Sequence, residues 1–334
     1  MPATTAARPG SRDAIVQVTQ GRRQRWTRQR RPRANADVTL SATSIVGWQP
    51  RSVPYLFSGP AVLAISMVLG FPVVYAVYQS LFAVSPLADD APFVGLDNYT
   101  RLFAQPEFWS ALARTAVFVG GCIVLGMVLA VIFGFALNRV VSGLRFVRGL
   151  AILPYIVSSV AAALMFRTLF NSDFGLPNRL LEFLGFDGLP WFSTPALAMV
   201  VVIVAQVWTD LPLALLFVLG GLQTIDESYI DAAKVDGATG LTSARYISLP
   251  LIAPQLILST VFLSYKALTS LGTVLALTGG GPGTATQLLT LEMVRVGFNE
   301  FDMGTALAIV VIIFVLNAAL TLLYLKLQRR FGLE

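Results

Sequence analysis

The chain contains no histidine, one cysteine and only three lysines in 334 residues. Without histidine it lacks the most common general base and the most common transition-metal ligand of proteins. Cys122 alone can form neither an internal disulfide nor a thiolate metal cluster. Lys234, Lys266 and Lys326 do not follow glycine, so the phosphate-binding motif G-x-x-x-x-G-K-[ST] is absent from the sequence. The sequence therefore predicts no catalytic site, no metal site and no cofactor in this chain.

Charged residues are also scarce, at 13% against 55% apolar residues, and the mean hydropathy is +0.71. A soluble domain carries roughly 25% charged residues. The apolar residues come in long blocks of about 20, the length at which a helix crosses the hydrocarbon core of a bilayer. Because backbone polar groups in lipid must be satisfied within the protein, these blocks predict an all-α membrane protein.

Six apolar blocks are long enough to cross a membrane. The blocks are about 55–81, 115–138, 149–169, 195–221, 251–277 and 303–325. The fourth and the fifth each contain one charged residue, Asp210 and Lys266. An intramembrane charge costs about 2.5–3.5 kcal/mol on insertion scales and usually faces a cavity or a partner. We therefore expect six transmembrane helices, in two of which a charged side chain faces a cavity or a partner.

The basic residues predict how these helices are oriented. Ten arginines precede Pro54, where only Asp13 and Asp37 are acidic. Basic residues recur after the second span, between the fourth and fifth spans and after the last, whereas the alternate loops are mixed or acidic. Since basic loops remain in the cytoplasm, both termini are expected there. Residues 1–50 are interpreted as a disordered tail beside anionic lipid rather than as a nucleic-acid-binding module.

A polar segment rich in small residues, YIDAAKVDGATGLTSARYISLPLIAP (229–254), separates the fourth and fifth spans. Thr224 and Glu227 have the spacing of a capping box, which predicts a helix of about ten residues after it. Gly237 stands where that helix should stop, and a second short helix should follow, from about Thr242 to Ser248. Pro250 is expected in the first turn of the fifth span. Two short helices joined rigidly to two spans could transmit a push from a partner protein.

This segment resembles the motif E-A-A-x-x-x-G-…-I-x-L-P of binding-protein-dependent ABC permeases. The motif positions are occupied by Asp231, Ala232, Ala233, Gly237, Ile247, Leu249 and Pro250. The glutamate that is usual in the motif is Asp231 here, one methylene shorter. In that family the segment docks in a cleft of the nucleotide-binding subunit. The resemblance thus implies that these residues couple the membrane helices to an ATPase, and that this partner binds ATP and magnesium.

The likeness extends over most of residues 55–327, and its motifs are similar to those of the carbohydrate-uptake branch, which includes permeases for maltose, related sugars and glycerol phosphate. Its other stretches are VGLDNY (94–99), LPY (153–155), LFN (169–171), FGL (174–176) and LTGGGPG (277–283). The resemblance implies a type I importer fold in the cell membrane, with a permease domain over 51–334 and a coupling loop over about 222–250. It also implies a second homologous permease subunit, two ATPase subunits, an extracytoplasmic solute-binding protein, and import by alternating access.

Polar residues inside the fourth, fifth and sixth spans are candidates for a solute pathway. At a rise of 1.5 Å per residue, Asp210 and Lys266 lie roughly 18 and 22 Å from the inner ends of their spans, close enough in depth to pair. The other polar residues share helix stripes with them or lie on the sixth span. The candidate pathway consists of Gln206, Asp210, Lys266, Ser270, Thr273 and Asn317. An ion pair that only fastens two spans together is the open alternative.

Two other classes of protein are weaker interpretations. An ion-coupled secondary transporter would explain charges at mid-membrane depth, but it would give the polar segment no role. A membrane-embedded enzyme would need catalytic groups that this sequence does not provide. The stretch TGGGPGTAT (278–286) is interpreted as a turn-forming outer loop rather than a phosphate cradle, because no lysine follows it.

Overall fold

A computed structural model describes residues 53–139 and 145–330, so the predicted cytoplasmic tail, residues 1–50, lies outside the described residues. Within them the chain is helical, and the one pair of residues in β-bridge contact is Phe82 with Phe93. The chain divides into two units, Met1–Val62 and Leu63–Glu334. All candidate functional residues belong to the second unit.

Fifteen α-helices and three π-helical turns follow one another along the described residues. The α-helices are α1 (Val53–Ile65), α2 (Phe71–Gln79), α3 (Asp97–Ala104), α4 (Pro106–Arg139), α5 (Arg145–Ile156), α6 (Ser159–Leu169), α7 (Leu176–Phe183), α8 (Pro195–Gln223), α9 (Glu227–Val235), α10 (Gly240–Ser243), α11 (Leu249–Leu251), α12 (Ala253–Leu268), α13 (Gly272–Leu277), α14 (Leu289–Val294) and α15 (Met303–Arg330). The π-helical turns are Ser66–Gly70, Ala244–Ser248 and Arg295–Asn299.

Four helical stretches are long and apolar enough to cross a membrane. They are Ser58–Gln79, Pro106–Asn138, Pro195–Gln223 and Met303–Arg329, and they match the first, second, fourth and sixth predicted spans. A fifth crossing is reached if Gly240–Leu251 and Ala253–Leu268, which meet at an angle of 74°, form one broken span. By length and composition the described residues therefore provide four to five apolar crossings.

The third and fifth predicted spans are each divided into shorter helices. In block 149–169, α5 ends at Ile156 and α6 begins at Ser159. Pro154 near the end of α5 has no N–H for the helix ladder, and Ser158 has the non-helical angles φ −56° and ψ 137°. In block 251–277, α12 ends at Leu268, where the Thr269 hydroxyl donates to the Tyr265 carbonyl at 2.8 Å. Such side-chain bonds compete with a continuous helix.

Helix α8 is the centre of the bundle, and α4 and α12 pack against it. The most apolar window of α8 is 56% buried, compared with 28% in the span that α4 provides. Glycines of α4 allow the close approach. A Cβ added to Gly121 would lie 2.6 Å from Ile203 Cδ1, and one added to Gly134 would lie 2.8 Å from Val218 Cγ1. Small residues at helix contacts are typical of membrane bundles, and here they hold α8 firmly in place.

Candidate coupling loop and solute pathway

The first helix of the coupling loop is capped differently from the predicted capping box. Asp226 is the residue that caps α9, and its carboxylate accepts the N–H of Ser228 at 2.8 Å. Thr224 instead ends α8, with its hydroxyl donating to the Gly221 carbonyl at 2.8 Å. The prediction that Thr224 and Glu227 form the cap is therefore wrong, because the threonine closes the preceding helix. Hydrogen bonding by Ser228 lowers the pKa of the Asp226 carboxyl below its ordinary value.

The stop predicted at Gly237 is confirmed. Gly237 has φ +77°, a left-handed conformation that glycine adopts without a Cβ clash. Its N–H donates to the Lys234 carbonyl at 3.1 Å, and the Ala238 N–H donates to the Ala233 carbonyl at 2.9 Å. These two bonds are those of a Schellman motif, which satisfies the last carbonyls of a helix. The turn after α9 is thus fixed by the backbone itself.

The second helix of the loop is longer than expected. Thr239 caps α10, which continues through the π-helical turn Ala244–Ser248 and α11 as far as Leu251. Pro250 therefore lies near the end of this helix, and the first-turn proline of α12 is Pro254, so the predicted position of Pro250 is wrong. Because Pro250 has no N–H to donate, the helix can end one residue later and bend by 74° into α12.

The motif residues fall into buried and exposed groups. Ala233 is buried, and Ile247 and Leu249 are partly buried, whereas Ala232, Gly237 and Pro250 are exposed. Asp231 is exposed as well, and its carboxylate pairs with the Lys234 ammonium at 2.8 Å. This hydrogen bond raises the pKa of the Lys234 ammonium above its ordinary value. A pair this exposed contributes little to folding.

Sequence reasoning missed the large apolar side chains on the surface of the coupling loop. Four of them are more than half exposed: Tyr229 at 57%, Val235 at 87%, Leu241 at 82% and Tyr246 at 68%. The sequence could have indicated this exposed surface, because these are bulky apolar residues in a segment that is too polar and too short to cross a membrane. The loop therefore presents apolar surface that no other described residue covers.

The ends of the coupling loop are held tightly to the bundle. Gly221 at the end of α8 lies so close to α12 that a Cβ there would be 2.9 Å from Gln255 Cγ. Ile252, at the bend, is 1% exposed. Between these anchors a cavity of about 520 Å³ separates the loop from the ends of α4 and α8. Its walls include Phe135, Asn138, Leu222, Gln223, Ile230 and Lys234. The coupling loop is therefore fixed to α8 and α12 at its two ends and separated from the bundle by a cavity between them. A segment built in this way can move both helices when a partner pushes it.

The structure brings four of the six predicted pathway residues into one hydrogen-bonded polar cluster. The side-chain amide N–H of Gln206 donates to the Asp210 carboxylate at 2.6 Å, and the Ser270 hydroxyl donates to the side-chain amide oxygen (Oε1) of Gln206 at 2.7 Å. The Lys266 ammonium lies 3.7 Å from the other Asp210 oxygen, so the expected pairing of these charges is present. The polar cluster consists of Gln206, Asp210, Lys266 and Ser270.

The other two predicted residues do not join the polar cluster. Thr273 is 1% exposed, and its hydroxyl oxygen has no hydrogen-bond partner among the described residues. Asn317 on α15 donates to the Ile313 carbonyl of its own helix at 3.2 Å. A buried hydroxyl without a partner costs free energy, so Thr273 is a place where a bound molecule could add a hydrogen bond.

The polar cluster is buried on one side and open on the other. The Asp210 side chain is 4% exposed, whereas the Lys266 side chain is 36% exposed. The Lys266 ammonium lies 6.0 Å from the ring centroid of Tyr155, and Tyr265 beside it is 55% exposed. Thr269, which directly follows α12, is exposed as well. The accessible residues at and beside Lys266 are called the open face: Tyr155, Tyr265, Lys266 and Thr269. Sequence reasoning missed both tyrosines, although Tyr155 stood in one of the motif stretches.

Comparisons with known proteins show the family of this chain. Residues 122–333 match the family model described as "binding-protein-dependent transport system inner membrane component". A probable ABC transporter permease protein of Sinorhizobium fredii is 33% identical over 273 residues, 80% of this chain and 88% of the relative. The trehalose/maltose transport system permease protein of Thermococcus litoralis is 31% identical over 287 residues, 86% of this chain and 97% of the relative.

A solved structure shares the fold. It is a bacterial alginate ABC transporter in complex with an alginate pentasaccharide-bound periplasmic protein, matched with a TM-score of 0.69 and 20% identity. The match covers 83% of this chain and 94% of that chain. With an all-helical bundle, a bent loop carrying the permease motif, and relatives aligned over four-fifths or more of its length, the chain belongs to the family of inner membrane components of binding-protein-dependent transport systems.

Proposed function

We propose that this chain is one of two permease subunits of an ATP-driven importer of a sugar or sugar-like solute. The observation that carries the proposal is the coupling loop, whose exposed apolar side chains lie on a bent segment anchored to α8 and α12. A secondary transporter has no use for such a surface, whereas an ATPase subunit would cover it. The trehalose and maltose named for one relative support a sugar as the solute.

The proposed topology has six spans, with both termini in the cytoplasm and residues 1–50 as a basic tail. The two divided blocks then count as broken spans, α5 with α6 and α12 with α13. Broken helices occur in membrane proteins where they line a cavity, as the open face beside the breaks would do. The distribution of arginine supports this orientation, with a permease domain over 51–334 and a coupling loop over about 222–250 on the cytoplasmic side.

The proposed division of labour places ATP hydrolysis entirely in partner subunits. Two ATPases bind ATP and magnesium, and one of them receives the coupling loop through Asp231, Ala232, Ala233, Gly237, Ile247, Leu249 and Pro250. Closure of the ATPases pushes α9 and α10, and the tight contact of Gly221 with Gln255 carries the push into α8 and α12. The bundle then alternates between outward-open and inward-open states, and an extracytoplasmic binding protein delivers the solute.

The open face is the proposed solute contact. Tyrosine rings, an ammonium and a hydroxyl supply the stacking surface and the hydrogen-bond donors that a sugar ring needs. The buried members of the polar cluster would act behind it, since Asp210 and Gln206 fix the position of Lys266. Thr273 and Asn317 are retained as further candidates along the pathway. The second permease subunit would close the pore across this face.

Transport measurements on the assembled complex in vesicles test the proposal. Uptake should require ATP inside the compartment that holds the coupling loop and should continue when ionophores remove ion gradients. Asp210→Asn and Lys266→Gln should each reduce uptake by about tenfold or more if the position of Lys266 matters to the solute. Lys326→Gln at the end of α15 is the matched control and should leave uptake unchanged.

Two results would contradict these roles separately. Wild-type uptake in both single variants would remove the polar cluster from the pathway without affecting the importer assignment. Full rescue by the exchanged pair, Asp210→Lys with Lys266→Asp, would identify a fastener between α8 and α12 rather than a solute contact. Uptake that follows an ion gradient without ATP would overturn the importer assignment itself.

A further inference from the structure

A second polar cavity lies at the end of α8 opposite the coupling loop. Its volume is about 470 Å³, within the range of small-molecule sites, roughly 300–1,000 Å³. Phe192, three residues before α8 begins, forms part of its wall. The other lining residues come from α6 and the segment that follows it, and from the end of α13 and the loop 278–286: Arg167, Asn171, Ser172, Asp173, Leu277, Thr278, Gly281 and Pro282. In the proposed topology this cavity opens on the extracytoplasmic side.

The cavity is lined by one cationic and one anionic side chain, which do not form an ion pair with each other. Arg167 and Asp173 are both exposed, and neither forms an ion pair within the part of the chain that the structure describes. A guanidinium only donates hydrogen bonds, and an ionised carboxylate only accepts them. A net charge near zero favours a neutral molecule rather than an anion. One donor, one acceptor and an aromatic wall from Phe192 suit a ring that carries several hydroxyl groups.

The walls of the cavity are already fixed by local hydrogen bonds. The hydroxyls of Thr278 and Thr286 lie 2.7 Å apart, and Thr286 also donates to the Gly281 carbonyl at 2.9 Å. On the opposite wall, the Asn171 side chain accepts the N–H of Asp173 at 2.8 Å. A site formed in advance loses less entropy when it binds, so this geometry favours a ligand over an empty groove.

The breaks in the third and fifth blocks lie between the open face and this cavity along the chain. Tyr155 belongs to α5 and Lys266 to α12, whereas Arg167 belongs to α6 and Thr278 directly follows α13. Helices α6 and α13 also touch, because a Cβ on Gly272 would lie 2.7 Å from the Ser159 hydroxyl. A solute that left the cavity along this pair of helices would reach the open face.

We propose that this cavity is an outer subsite that holds one neutral sugar ring before it reaches the open face. Arg167 donates to ring hydroxyls, Asp173 accepts from them, and Phe192 stacks against the ring. The inference rests on the proposed import function, and it adds a waiting position that a direct transfer from the binding protein to the open face does not require.

Thiol labelling of the assembled transporter tests the subsite independently of transport. Ser172→Cys places a thiol in the cavity, Ser193→Cys places one just outside it, and the native Cys122 is buried. A membrane-impermeant maleimide is added from the extracytoplasmic side, with glucose, maltose or trehalose as neutral probes and glucuronate or glycerol 3-phosphate as anionic probes. At least one neutral probe should slow labelling of Ser172→Cys by about fivefold at a concentration several times its Kd. Ser193→Cys should be unaffected.

The binding groups are then removed in the same background. Arg167→Gln with Asp173→Asn should abolish protection while leaving the labelling rate without sugar unchanged. Arg179→Gln with Glu182→Gln, which neutralises an exposed pair on α7, is the matched control and should keep protection.

The other possible labelling results each contradict a different part of the proposal. Labelling of Ser172→Cys from outside that no neutral sugar slows would overturn the subsite and leave the importer standing. Protection by an anionic probe alone would overturn the neutral-ring assignment. Absence of labelling from either side would mean that the cavity is closed to solute. Labelling from the cytoplasmic side alone would contradict the proposed topology.

Discussion

The coupling loop and the polar cluster differ in how their functional groups are satisfied. In the polar cluster, Asp210 is 3% exposed, accepts a hydrogen bond from Gln206 and forms an ion pair with Lys266 of the same subunit. In the coupling loop, Leu241 is 82% exposed, and Asp231 pairs with Lys234 on the surface of its own helix. The polar groups of the first region therefore have partners within the subunit, and only Lys266 has an accessible side. The second is an apolar surface that no other described residue covers.

This difference separates two kinds of mutational effect. A change in the polar cluster should alter the stability of the subunit itself, because a buried charge loses its partner. A change of an exposed side chain on the coupling loop should leave the isolated subunit intact and weaken its assembly. Measurements of unfolding and of ATPase binding on the same variants therefore distinguish the two regions.

The largest effect on stability is expected from Lys266→Met. It leaves the Asp210 carboxylate buried without its cation, which costs about 3–5 kcal/mol for a fully buried pair. Because the Lys266 side chain is 36% exposed, we expect a smaller loss, about 2–3 kcal/mol, and a lower Tm in detergent. Lys326→Met, at the exposed end of α15, should leave the Tm unchanged. Equal unfolding temperatures for both variants and the native chain would show that the pair does not stabilise the bundle.

The largest effect on assembly is expected from Leu241→Glu. Burying a leucine side chain contributes roughly 1.5–3 kcal/mol, so its loss should weaken ATPase binding at least about tenfold. The isolated subunit should unfold at its native temperature, since this residue is exposed. Leu87→Glu, at a position 75% exposed in the loop before α3, is the control and should bind the ATPase normally. A Leu241→Glu variant that binds with native affinity would remove this side chain from the interface.

An intermediate effect is expected from Gly237→Val. A side chain at φ +77° is strained by about 1–2 kcal/mol, and the turn after α9 should shift. Gly185→Val, at φ +83° after α7, introduces the same strain away from the coupling loop. Both variants should lose similar stability, but only Gly237→Val should reduce the ATP-driven uptake rate. Equal losses of uptake in the two variants would indicate general destabilisation.

The smallest effect is expected from Asp231→Glu, which restores the acid that is usual in the motif. The position is exposed and its pair with Lys234 lies on the surface, so stability should not change. Uptake should change by less than about twofold, because one methylene alters the reach of the carboxylate without altering its charge. A large gain in uptake would show that the shorter acid limits contact with the ATPase.

The long helices could be predicted from the sequence because their signal is local. The blocks at 195–221 and 303–325 are uninterrupted, and they correspond to α8 and α15. Gly237 could be placed because the left-handed conformation favours glycine strongly. The Asp210–Lys266 pair could be foreseen because two isolated intramembrane charges at similar depth have few other partners.

Other features depend on three-dimensional contacts that the local sequence does not determine. Thr224 could cap α9 or close α8, and the local sequence permits both. The breaks at Val157 and Thr269 arise within apolar blocks that hydropathy treats as continuous. The open face needed Tyr155 and Lys266 to meet across more than a hundred residues of chain. Polarity selected Asn317, and helix spacing from Lys266 selected Thr273, but neither signal could tell that these residues lie outside the polar cluster.

Hydrogen exchange of this subunit, with and without a purified ATPase partner, tests the coupling loop most directly. The account predicts that amides of residues 227–248 exchange more slowly in the complex, while those of the loop 278–286 at the far end of the bundle keep their rates. If the two proteins form a complex and residues 227–248 exchange as fast as in the free subunit, the loop is not the contact that receives force from the ATPase.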